Sequence, residues 1–435
     1  MLNFTHDPTR ESWVASANDP LTDFPLQNLP YGVFRAPDGS ARVGVAIGTE
    51  ILDLKALAAA GLLSSPSIAD VCSLASLNSL LAAGPGTWKA LRHRLSELLG
   101  ADTCPGTTRS QVQDCLRPQA GVTMLLPATI GDYTDFYASI HHATRVGQLF
   151  RPDQPLLPNY QWVPIGYHGR ASSIVVSPTA IRRPSGQSKS PPQTSPTFGP
   201  SASLDYEVEL GAFVGPGNPL GRPVPLSAAR DHLFGVVLLN DWSARDLQSW
   251  EYQPLGPFLA KNFATSLSPW VVTLEALAPF RTPPAPRAAG EPAPLPYLSD
   301  AQDAAHGGLD LMLEAWLVTP AMRAAKCAPH RLSVANFRDM YWTLGQMLAH
   351  HTSNGCNLQP GDLLGSGTVS GPADGARSCL LELTSRGTEP VSLPGGESRR
   401  FLEDGDEVIL RGYAARPGAR RIGLGECRGI VGPAA

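Results

Sequence analysis

Three carboxylates alternate along one apolar stretch of the chain, LDYEVELGAFVG (204–215). They are Asp205, Glu207 and Glu209. Because successive side chains of a β-strand point to opposite faces, a strand at this position places all three carboxylates on one side. Like charges repel at that spacing, whereas carboxylates at i and i+2 can share one hard cation such as calcium, which prefers oxygen ligands. The pattern therefore indicates either a buried metal site or an edge strand with a solvated acidic face.

A second segment, GDYTDFYASIHHATRVGQLFR (131–151), combines acids, bases, aromatic rings and a cation within a short length. Asp132 and Asp135 are candidate oxygen ligands, and His141 or His142 is a possible base. Each residue also has an ordinary structural explanation, such as a helix cap, a satisfied polar group or a surface position. Folding alone explains less easily why so many reactive types occur together, so the segment is a candidate active-site element.

A third segment, LLNDWSARDLQSWEYQPLGPFLAKNFATSLSPWVV (238–272), begins with the end of an apolar strand. Asp241 ends that strand, where a carboxylate can point into a cleft at the sheet edge. The residues that follow it can bind anionic oxygens and would destabilise the fold if they were buried unpaired. They are Arg245, Gln248, Tyr252 and Lys261. The alternative is a surface helix stabilised by side-chain pairs four residues apart.

The elements that must position these residues fall into a small β module and a larger β-rich region. Short alternating runs between residues 30 and 55 predict an antiparallel sheet with hairpins. Residues 57–99 have helical spacing and lead to a connector at 100–127. From Thr129 onward, strand-like runs alternate with loops, which indicates one large β-rich domain.

Within that large domain the sequence makes three more specific predictions. The run RSCLLELTS (377–385) is strand-like, and the segments 182–203 and 278–308 are loops by composition. Helical spacing from Phe337 onward predicts one clear helix, with Asn336 as its cap.

Length and composition bound the class of protein. A chain of 435 residues is long enough for two domains, and its formal net charge of -4 gives no basic field for nucleic acid or an anionic membrane. No stretch approaches ~18 uninterrupted apolar residues, and the first residues lack the order of a secretory signal. Seven scattered cysteines without a C-x-x-C pair argue against a disulfide framework and a structural zinc site. We therefore expect a cytoplasmic protein without a membrane or nucleic-acid partner.

Five long blocks of the sequence, in order, resemble the fumarylacetoacetate hydrolase family. They are DYTDFYASIHHAT, PIGYHGRASSIVVSPTAIRRP, LDYEVELGAFVGPGN, VLLNDWSARDLQSWEYQPLGPFLAKNFATSLSPWVV and NLQPGDLLGSGTVSGP. The resemblance implies a mainly β fold with some α: a small N-terminal SH3-like β-barrel domain with a helical connector (1–127) and a large C-terminal mixed β-roll domain (128–435). It also implies a homodimer.

The resemblance assigns roles to residues that match the family's motifs. Calcium ligands would be Asp135, Glu207, Glu209 and Asp241, and a magnesium would lie near Asp241, Lys261 and Thr265. The general base would be His142, with Glu382 as its partner, and the oxyanion donors would be Arg245, Gln248 and Lys261. Substrate contacts would be Tyr137, Arg151, Tyr167, Gln248, Tyr252 and Thr368. Asp205 is not a family ligand, and the adjacent His141 leaves open which imidazole titrates.

The implied activity is hydrolysis of the carbon–carbon bond of 4-fumarylacetoacetate to fumarate and acetoacetate, the last step of tyrosine and phenylalanine breakdown. Such a reaction needs an activated water, donors for an oxyanion and a divalent cation that stabilises the departing enolate. The alternatives are a related hydrolase of another 1,3-dicarbonyl acid, such as an acylpyruvate, or a metal-dependent decarboxylase or isomerase. A metal-binding scaffold without catalysis is a third reading, which the presence of both His142 and Glu382 disfavours.

Overall fold

The computed structural model describes residues 2–190 and 192–435, so that Met1 and Pro191 lie outside the described residues. The chain is a mixed α/β protein with more strand than helix. Its strands are β1 Tyr31–Arg35, β2 Ala41–Ile47, β3 Glu50–Asp53, β4 Leu116–Pro118, β5 Met124–Leu125, β6 Tyr133–Phe136, β7 Gly166–His168, β8 Ile174–Val176, β9 Ile181–Arg182, β10 Ser185–Ser188, β11 Thr197–Pro200, β12 Leu204–Asp205, β13 Val208–Val214, β14 Leu233–Asp241, β15 Ser243–Ala244, β16 Thr265–Leu267, β17 Val272–Thr273, β18 Arg281–Thr282, β19 Gly308–Leu309, β20 Met312–Val318, β21 His330–Asn336, β22 Leu363–Gly365, β23 Val391–Ser392, β24 Ser398–Arg399, β25 Glu407–Ala414 and β26 Ile422–Gly432.

The α-helices are short, apart from one of 16 residues. They are α1 Leu54–Ala59, α2 Pro66–Cys72, α3 Asn78–Ala82, α4 Gly84–Leu99, α5 Gly106–Gln113, α6 Ile140–Phe150, α7 Leu226–Ala229, α8 Arg245–Glu251, α9 Ala301–His306, α10 Pro320–Ala324, α11 Leu344–Thr352 and α12 Leu380–Leu383. Among the described helices, none is long and apolar enough to span a membrane.

The N-terminal part forms a five-stranded antiparallel sheet in the order β4-β3-β2-β1-β5. The predicted alternating runs correspond to β1, β2 and β3, and the predicted helical stretch is occupied by α1 to α4. The β1–β2 hairpin turns at Gly39, whose φ of 82° suits a residue without a side chain.

The larger part is built on an eight-stranded mixed sheet and a five-stranded sheet. The first has the order β7-β6-β22-β13-β14-β16-β8, with β17 pairing to β14, and the second has the order β21-β20-β25-β26-β9. Parallel pairs occur at β22–β6, β16–β8 and β26–β9. The site described below lies on the eight-stranded sheet.

Strand periodicity divides the core into two layers. From β13, Leu210, Ala212 and Val214 pack with residues of the five-stranded sheet, whereas Phe213 packs on the other side. On that other side, Phe213 joins Phe234 and apolar residues of the N-terminal sheet in one cluster, which we call the shared core. Because side chains alternate across a strand, one central strand serves both layers.

Two predicted elements are wrong, and each has a local physical reason. The strand-like run RSCLLELTS contains the helix α12, whose first amides are bonded by a carboxylate distant in sequence, as described below. The helix predicted from Phe337 begins only at Leu344, because Thr343 forms a capping box with Gln346. Asn336 instead caps a single 3₁₀ turn, where its side chain accepts a hydrogen bond from the Arg338 amide.

The two predicted loops are only partly irregular. Segment 182–203 contains the β10–β11 hairpin, and segment 278–308 contains α9, capped by Asp300. Residues of low strand propensity form that hairpin because it packs on α8, where Gly186 lies against Leu247. Such tertiary contacts leave no periodic signal in the segment itself.

Candidate active site

Three segments far apart in sequence bring one carboxylate each to the same point of the eight-stranded sheet. Asp135 lies on β6, Glu209 on β13 and Asp241 at the end of β14. One ligand oxygen from each lies within 4.8 Å of the others, and all three residues are buried. We call these three residues the acid cluster.

Burial and mutual repulsion make the acid cluster unfavourable without a compensating cation. Burial, reinforced by the charge of Asp241, raises the pKa of Asp135 well above its usual range, and burial with the other two carboxylates does the same for Glu209. Burial also raises the pKa of Asp241, against the opposing effect of Lys261. Asp135 Oδ1 and Glu209 Oε1 are buried and accept no hydrogen bond from the described residues. Two such oxygens beside a third carboxylate fit a hard divalent cation.

Gly365 keeps the space beside the acid cluster open. It pairs with Asp135 across the parallel β22–β6 ladder and with Gly211 across β13–β22. A Cβ atom at Gly365 would lie 2.8 Å from Asp135 Oδ1 and 3.2 Å from Glu209 Oε2. The absence of a side chain therefore allows the two carboxylates to approach each other.

Glu207 lies beside the acid cluster and is paired with two cations. Its Oε1 is 2.7 Å from Arg245 Nη1, and its Oε2 accepts a hydrogen bond of 2.8 Å from Lys261 Nζ. Burial would raise the pKa of Glu207, but these two cations outweigh it and hold the pKa well below its usual range. Lys261 also donates to Asp241, which is the register partner of Thr265. Glu207 thus connects the acid cluster to Arg245.

His142 and Glu382 form a buried pair next to this network. His142 lies in the first turn of α6, where Ser139 caps the helix and accepts the His142 amide. The ring nitrogen Nδ1 of His142 lies 2.7 Å from Glu382 Oε2. With Nδ1 engaged by the carboxylate, Nε2 is the nitrogen left to exchange a proton with a bound water. No hydrogen bond in the described parts of the chain joins the half-buried His141 to Glu382.

Two further side chains contact the Glu382 carboxylate. Ser370 Oγ donates to Oε2 at 2.7 Å, and Arg145 Nη1 lies 3.3 Å from Oε1. Burial would raise the pKa of Glu382, but the charge and hydrogen bond of His142, the Ser370 hydroxyl and Arg145 outweigh it and lower the pKa to about 2. The carboxylate therefore stays ionised and fixes the orientation of the imidazole.

Potential substrate contacts surround these groups. The Tyr137 ring packs edge-on against His142, with centroids 5.3 Å apart, and Tyr167 Oη donates to Asp241 Oδ2 at 3.4 Å. Gln248 Oε1 accepts a hydrogen bond from Arg245 Nη1 at 3.2 Å. Thr368 Oγ1 is buried without a hydrogen-bond partner among the described residues, so it is available to a ligand.

A cavity of about 300 Å³ opens next to Asp241. It is lined by Tyr133, Tyr167, His168, Gly169, Arg170, Asp241, Pro257, Phe258, Lys261, Asn262 and Thr265. A cavity of this size that carries Arg170 and Lys261 beside the single carboxylate of Asp241 suits a small anionic ligand.

Comparison with known proteins gives the family. The model of "Fumarylacetoacetate (FAA) hydrolase C-terminal" matches residues 132–431, and that of "Fumarylacetoacetase N-terminal" matches residues 27–127. This chain belongs to the fumarylacetoacetate hydrolase family. It is 50% identical over 420 residues to a fumarylacetoacetase of Caenorhabditis elegans, which covers 95% of this chain and 97% of that protein. It is 48% identical to the human fumarylacetoacetase, over 97% of this chain and 99% of that protein.

Two solved structures support the fold. The fumarylacetoacetate hydrolase of Exiguobacterium antarcticum matches with a TM-score of 0.51 and 17% identity, over 93% of this chain and 99% of that one. A putative HpcE protein from Mycobacterium smegmatis matches with a TM-score of 0.51 and 20% identity over the same shares. At these identities the likeness concerns the fold alone.

Some residues that family resemblance singles out make no hydrogen bond to this network among the described residues. Arg151 follows the end of α6, and its Nη2 donates to the Pro155 carbonyl at 3.3 Å. Tyr252 follows α8, and the described hydrogen bonds of both residues do not reach the acid cluster. Asp132, a candidate ligand from its position near Asp135, is exposed.

Three other residues of the site have no role assigned from the sequence. Arg145 lies three positions after His142 on α6, a spacing that places both on one helix face and could have been noticed. Ser370 carries no signal beyond a Gly-rich block, because only the tertiary fold brings it to Glu382. Asp205 was assigned no role, yet it contacts two parts of the site.

Proposed function

We propose that this chain hydrolyses the carbon–carbon bond of 4-fumarylacetoacetate and releases fumarate and acetoacetate. The observation that carries the proposal is the His142–Glu382 pair beside a buried acid cluster. It occurs in a chain 48% to 50% identical to fumarylacetoacetases over at least 95% of its length. The proposed ligand is therefore a small diketo acid.

His142 is the proposed general base. Its Nε2 removes a proton from water while the ionised Glu382 holds Nδ1–H, so that the imidazole keeps the correct tautomer and the imidazolium is stabilised. The resulting hydroxide adds to the ketone carbon of the fumaryl group, which becomes a carboxyl group of fumarate. When the carbon–carbon bond breaks, the electron pair leaves with the acetoacetate fragment, and the proton held at Nε2 can return to that carbon.

Arg245, Gln248 and Lys261 are the proposed oxyanion donors. Arg245 supports this role because Nε and Nη1 are bonded by protein groups, whereas Nη2 is buried without a partner among the described residues. An N–H group held in place before the charge develops is typically worth on the order of 3 kcal/mol in the transition state.

Asp135, Glu209 and Asp241 would hold a divalent cation, and Glu207 would be its fourth carboxylate ligand. A carboxylate oxygen has two lone pairs, so the bonds of Glu207 to Arg245 and Lys261 leave it able to bind a metal as well. Such a cation would supply Lewis-acid stabilisation of the enolate oxygens and fix the diketone. We propose Ca²⁺ at this site and Mg²⁺ near Asp241, Lys261 and Thr265.

Substrate recognition is proposed for groups near the base and the acid cluster and for two residues beyond them. Tyr137 packs against His142 and Tyr167 donates to Asp241, so both would contact the diketone. Thr368 would do so as well, because it follows Gly367, whose amide donates to Glu209 Oε2. Arg151 and Tyr252 remain proposed contacts for a substrate carboxylate, which a guanidinium binds through paired hydrogen bonds.

The wider organisation of the molecule is also a proposal. We divide the chain into residues 1–127, with an SH3-like barrel, and residues 128–435, with a β-roll. The five-stranded sheet and the ranges of the two family models support this division. A homodimer and a cytoplasmic location remain predictions from the sequence, and light scattering of the purified protein tests the first.

The deciding experiment is an assay with authentic 4-fumarylacetoacetate, read by loss of the diketone absorbance, with and without a chelator. We expect turnover that chelation abolishes and added Ca²⁺ or Mg²⁺ restores. A parallel panel with an acylpyruvate and other 1,3-dicarbonyl acids separates related hydrolases. Faster turnover of another diketo acid would reject the assignment of substrate, and no turnover of any of them would support a binding scaffold.

A further inference from the structure

Asp205 is a fully buried carboxylate that contacts two catalytic segments at once. Its Oδ2 accepts hydrogen bonds from Arg245 Nε and from the Leu381 amide, both at 2.9 Å. Its Oδ1 accepts the Leu380 amide at 2.7 Å and the Tyr206 amide at 2.8 Å. Asp205 has no solvent-exposed surface, so all four hydrogen bonds are made in the protein interior.

On one side, Asp205 fixes the direction of the Arg245 guanidinium. Nε is bound to Asp205, and Nη1 contacts Glu207 at 2.7 Å. Because a guanidinium is planar, two fixed nitrogens determine where the third points. The third, Nη2, is the buried nitrogen without a partner in the described chain and is therefore the donor available to an oxyanion.

On the other side, Asp205 holds the short helix α12, which carries Glu382. The first amides of a helix have no partner within the helix, and a side chain at the capping position usually binds them. Here Cys379 occupies that position and makes no such bond. Asp205 accepts the Leu380 and Leu381 amides in its place. One residue further along, Glu382 bonds His142.

We propose that Asp205 is a positioning residue that sets the distance and orientation between the oxyanion donor Arg245 and the base pair His142–Glu382. A hydrolysis that needs both groups on one carbonyl carbon depends on their relative placement, and a shift of about 1 Å can lower the rate about 10²-fold. This inference rests on the proposed function, because it concerns the same reaction.

The test compares Asp205→Asn with Asp406→Asn. Asp406 is an equally buried aspartate, and it accepts Arg399 Nε at 2.9 Å and the Glu403 amide at 2.9 Å, away from the acid cluster. Both variants remove a buried charge that pairs with arginine and with a backbone amide. We expect Asp205→Asn to lower kcat about 10²-fold with KM changed less than about threefold, whereas folded Asp406→Asn keeps the original kcat. Calcium binding measured by calorimetry should be unchanged in both.

Double variants test the two connections separately. If Asp205 acts through Arg245 and Glu382, then Asp205→Asn should lower kcat less in the Arg245→Gln and Glu382→Gln backgrounds than in the original protein. An undiminished loss in both backgrounds would overturn the proposal, and so would equal kcat values for Asp205→Asn and Asp406→Asn. If Asp205→Asn does not fold, Asp205→Glu keeps the charge but displaces the carboxylate. It should lower kcat, and a folded Asp205→Glu with unchanged kcat would also overturn the proposal.

Amide hydrogen exchange tests the connection without turnover. We expect the Leu380 and Leu381 amides to exchange slowly in the original protein and in Asp406→Asn, and at least about tenfold faster in Asp205→Asn. Equal exchange in the two variants would reject the link between Asp205 and α12. This outcome is distinguishable from failure of the proposed function. In that case the original protein would not turn over 4-fumarylacetoacetate, but the exchange difference between the two variants would still be observed.

Discussion

Nδ1 of His142 lies 2.7 Å from Oε2 of Glu382, although the two residues are 240 positions apart in the chain. Both side chains are buried, and the carboxylate is also bonded by Ser370. A pair of this kind gives an imidazole one fixed orientation and leaves the other nitrogen to work on a substrate or water. The adjacent His141 has no such partner among the described residues, so the two histidines can be separated experimentally.

Replacement of His142 by alanine should lower kcat at least about 10²-fold, since a positioned base supplies at least that factor. The matched control is His141→Ala, which removes the neighbouring imidazole without touching Glu382 and should keep most of the activity. Steady-state assays with 4-fumarylacetoacetate measure both variants, and circular dichroism checks their folding. Greater loss in His141→Ala than in His142→Ala would show that the base is misassigned.

Glu382 should make stability depend on pH in acid. Its pKa is about 2 in the folded chain against an ordinary value of 4.5. The ionised carboxylate therefore stabilises the folded state fully above pH 4.5, and this stabilisation is lost as the pH falls from 4.5 through about 2. The groups facing it are His142, Arg145, Ser370 and the Cys379 thiol. We expect its full protonation to remove roughly 3 kcal/mol of unfolding free energy.

Urea unfolding between about pH 5 and about pH 3 measures the part of this contribution that is lost before the folded-state pKa is reached. The original protein should lose stability over that range more steeply than Glu382→Gln, which has no proton to gain at this position. Parallel curves for the two proteins would contradict the lowered pKa of Glu382.

The acid cluster should make the metal-free protein less stable than its neutral variants. Because burial and repulsion raise the pKa of Asp135 and Glu209, Asp135→Asn or Glu209→Gln should raise the melting temperature in chelator. The same variants should lose the increase in melting temperature that Ca²⁺ gives the original protein. Exposed Asp132→Asn is the control and should behave like the original protein in both conditions. A full Ca²⁺ response in both cluster variants would reject a metal site at these oxygens.

Gly365→Ala should weaken metal binding while the fold persists. The added Cβ would lie 2.8 Å from Asp135 Oδ1, closer than such contacts normally allow, and would push the carboxylate away. The control is Gly199→Ala in β11, which makes the same substitution at a position where the added Cβ has no atom within 4 Å. Calorimetric titration with Ca²⁺ should show at least about tenfold weaker binding for Gly365→Ala alone, as disruption of a ligand's surroundings usually gives. Equal affinities in the two variants would contradict the close approach at Gly365.

The residue pattern marks the three segments of the acid cluster, and it is the family resemblance that groups their carboxylates as ligands of one metal. The segments carrying Asp135, Glu209 and Asp241 were all identified, because carboxylates in apolar runs are rare unless they are compensated. The helix α12 was interpreted as a strand because its capping carboxylate, Asp205, comes from a segment distant in the sequence. Four residues offer too short a window for a helical period to be recognised.

The contacts of Ser370 and Arg287 show why other parts could not be predicted. Ser370 lies 12 positions before Glu382 and reaches it only through the tertiary fold, and no local pattern marks it. Arg287 in the predicted loop 278–308 stacks over Tyr341 and Trp342, with distances of 4.3 Å and 4.6 Å to the ring centroids. Such cation–aromatic contacts fix a Pro-rich segment without any regular structure.

The shared core makes the eight-stranded sheet dependent on the chain that precedes it. Phe213, Phe234 and Leu363 of the large sheet pack with apolar residues of the N-terminal sheet, and Tyr31 and Val271 exchange backbone hydrogen bonds across the boundary. A shortened protein lacking the first sheet would leave a hydrophobic wall facing water, and it should aggregate rather than retain partial activity. Heating the intact chain should accordingly produce one calorimetric peak, with both halves lost together.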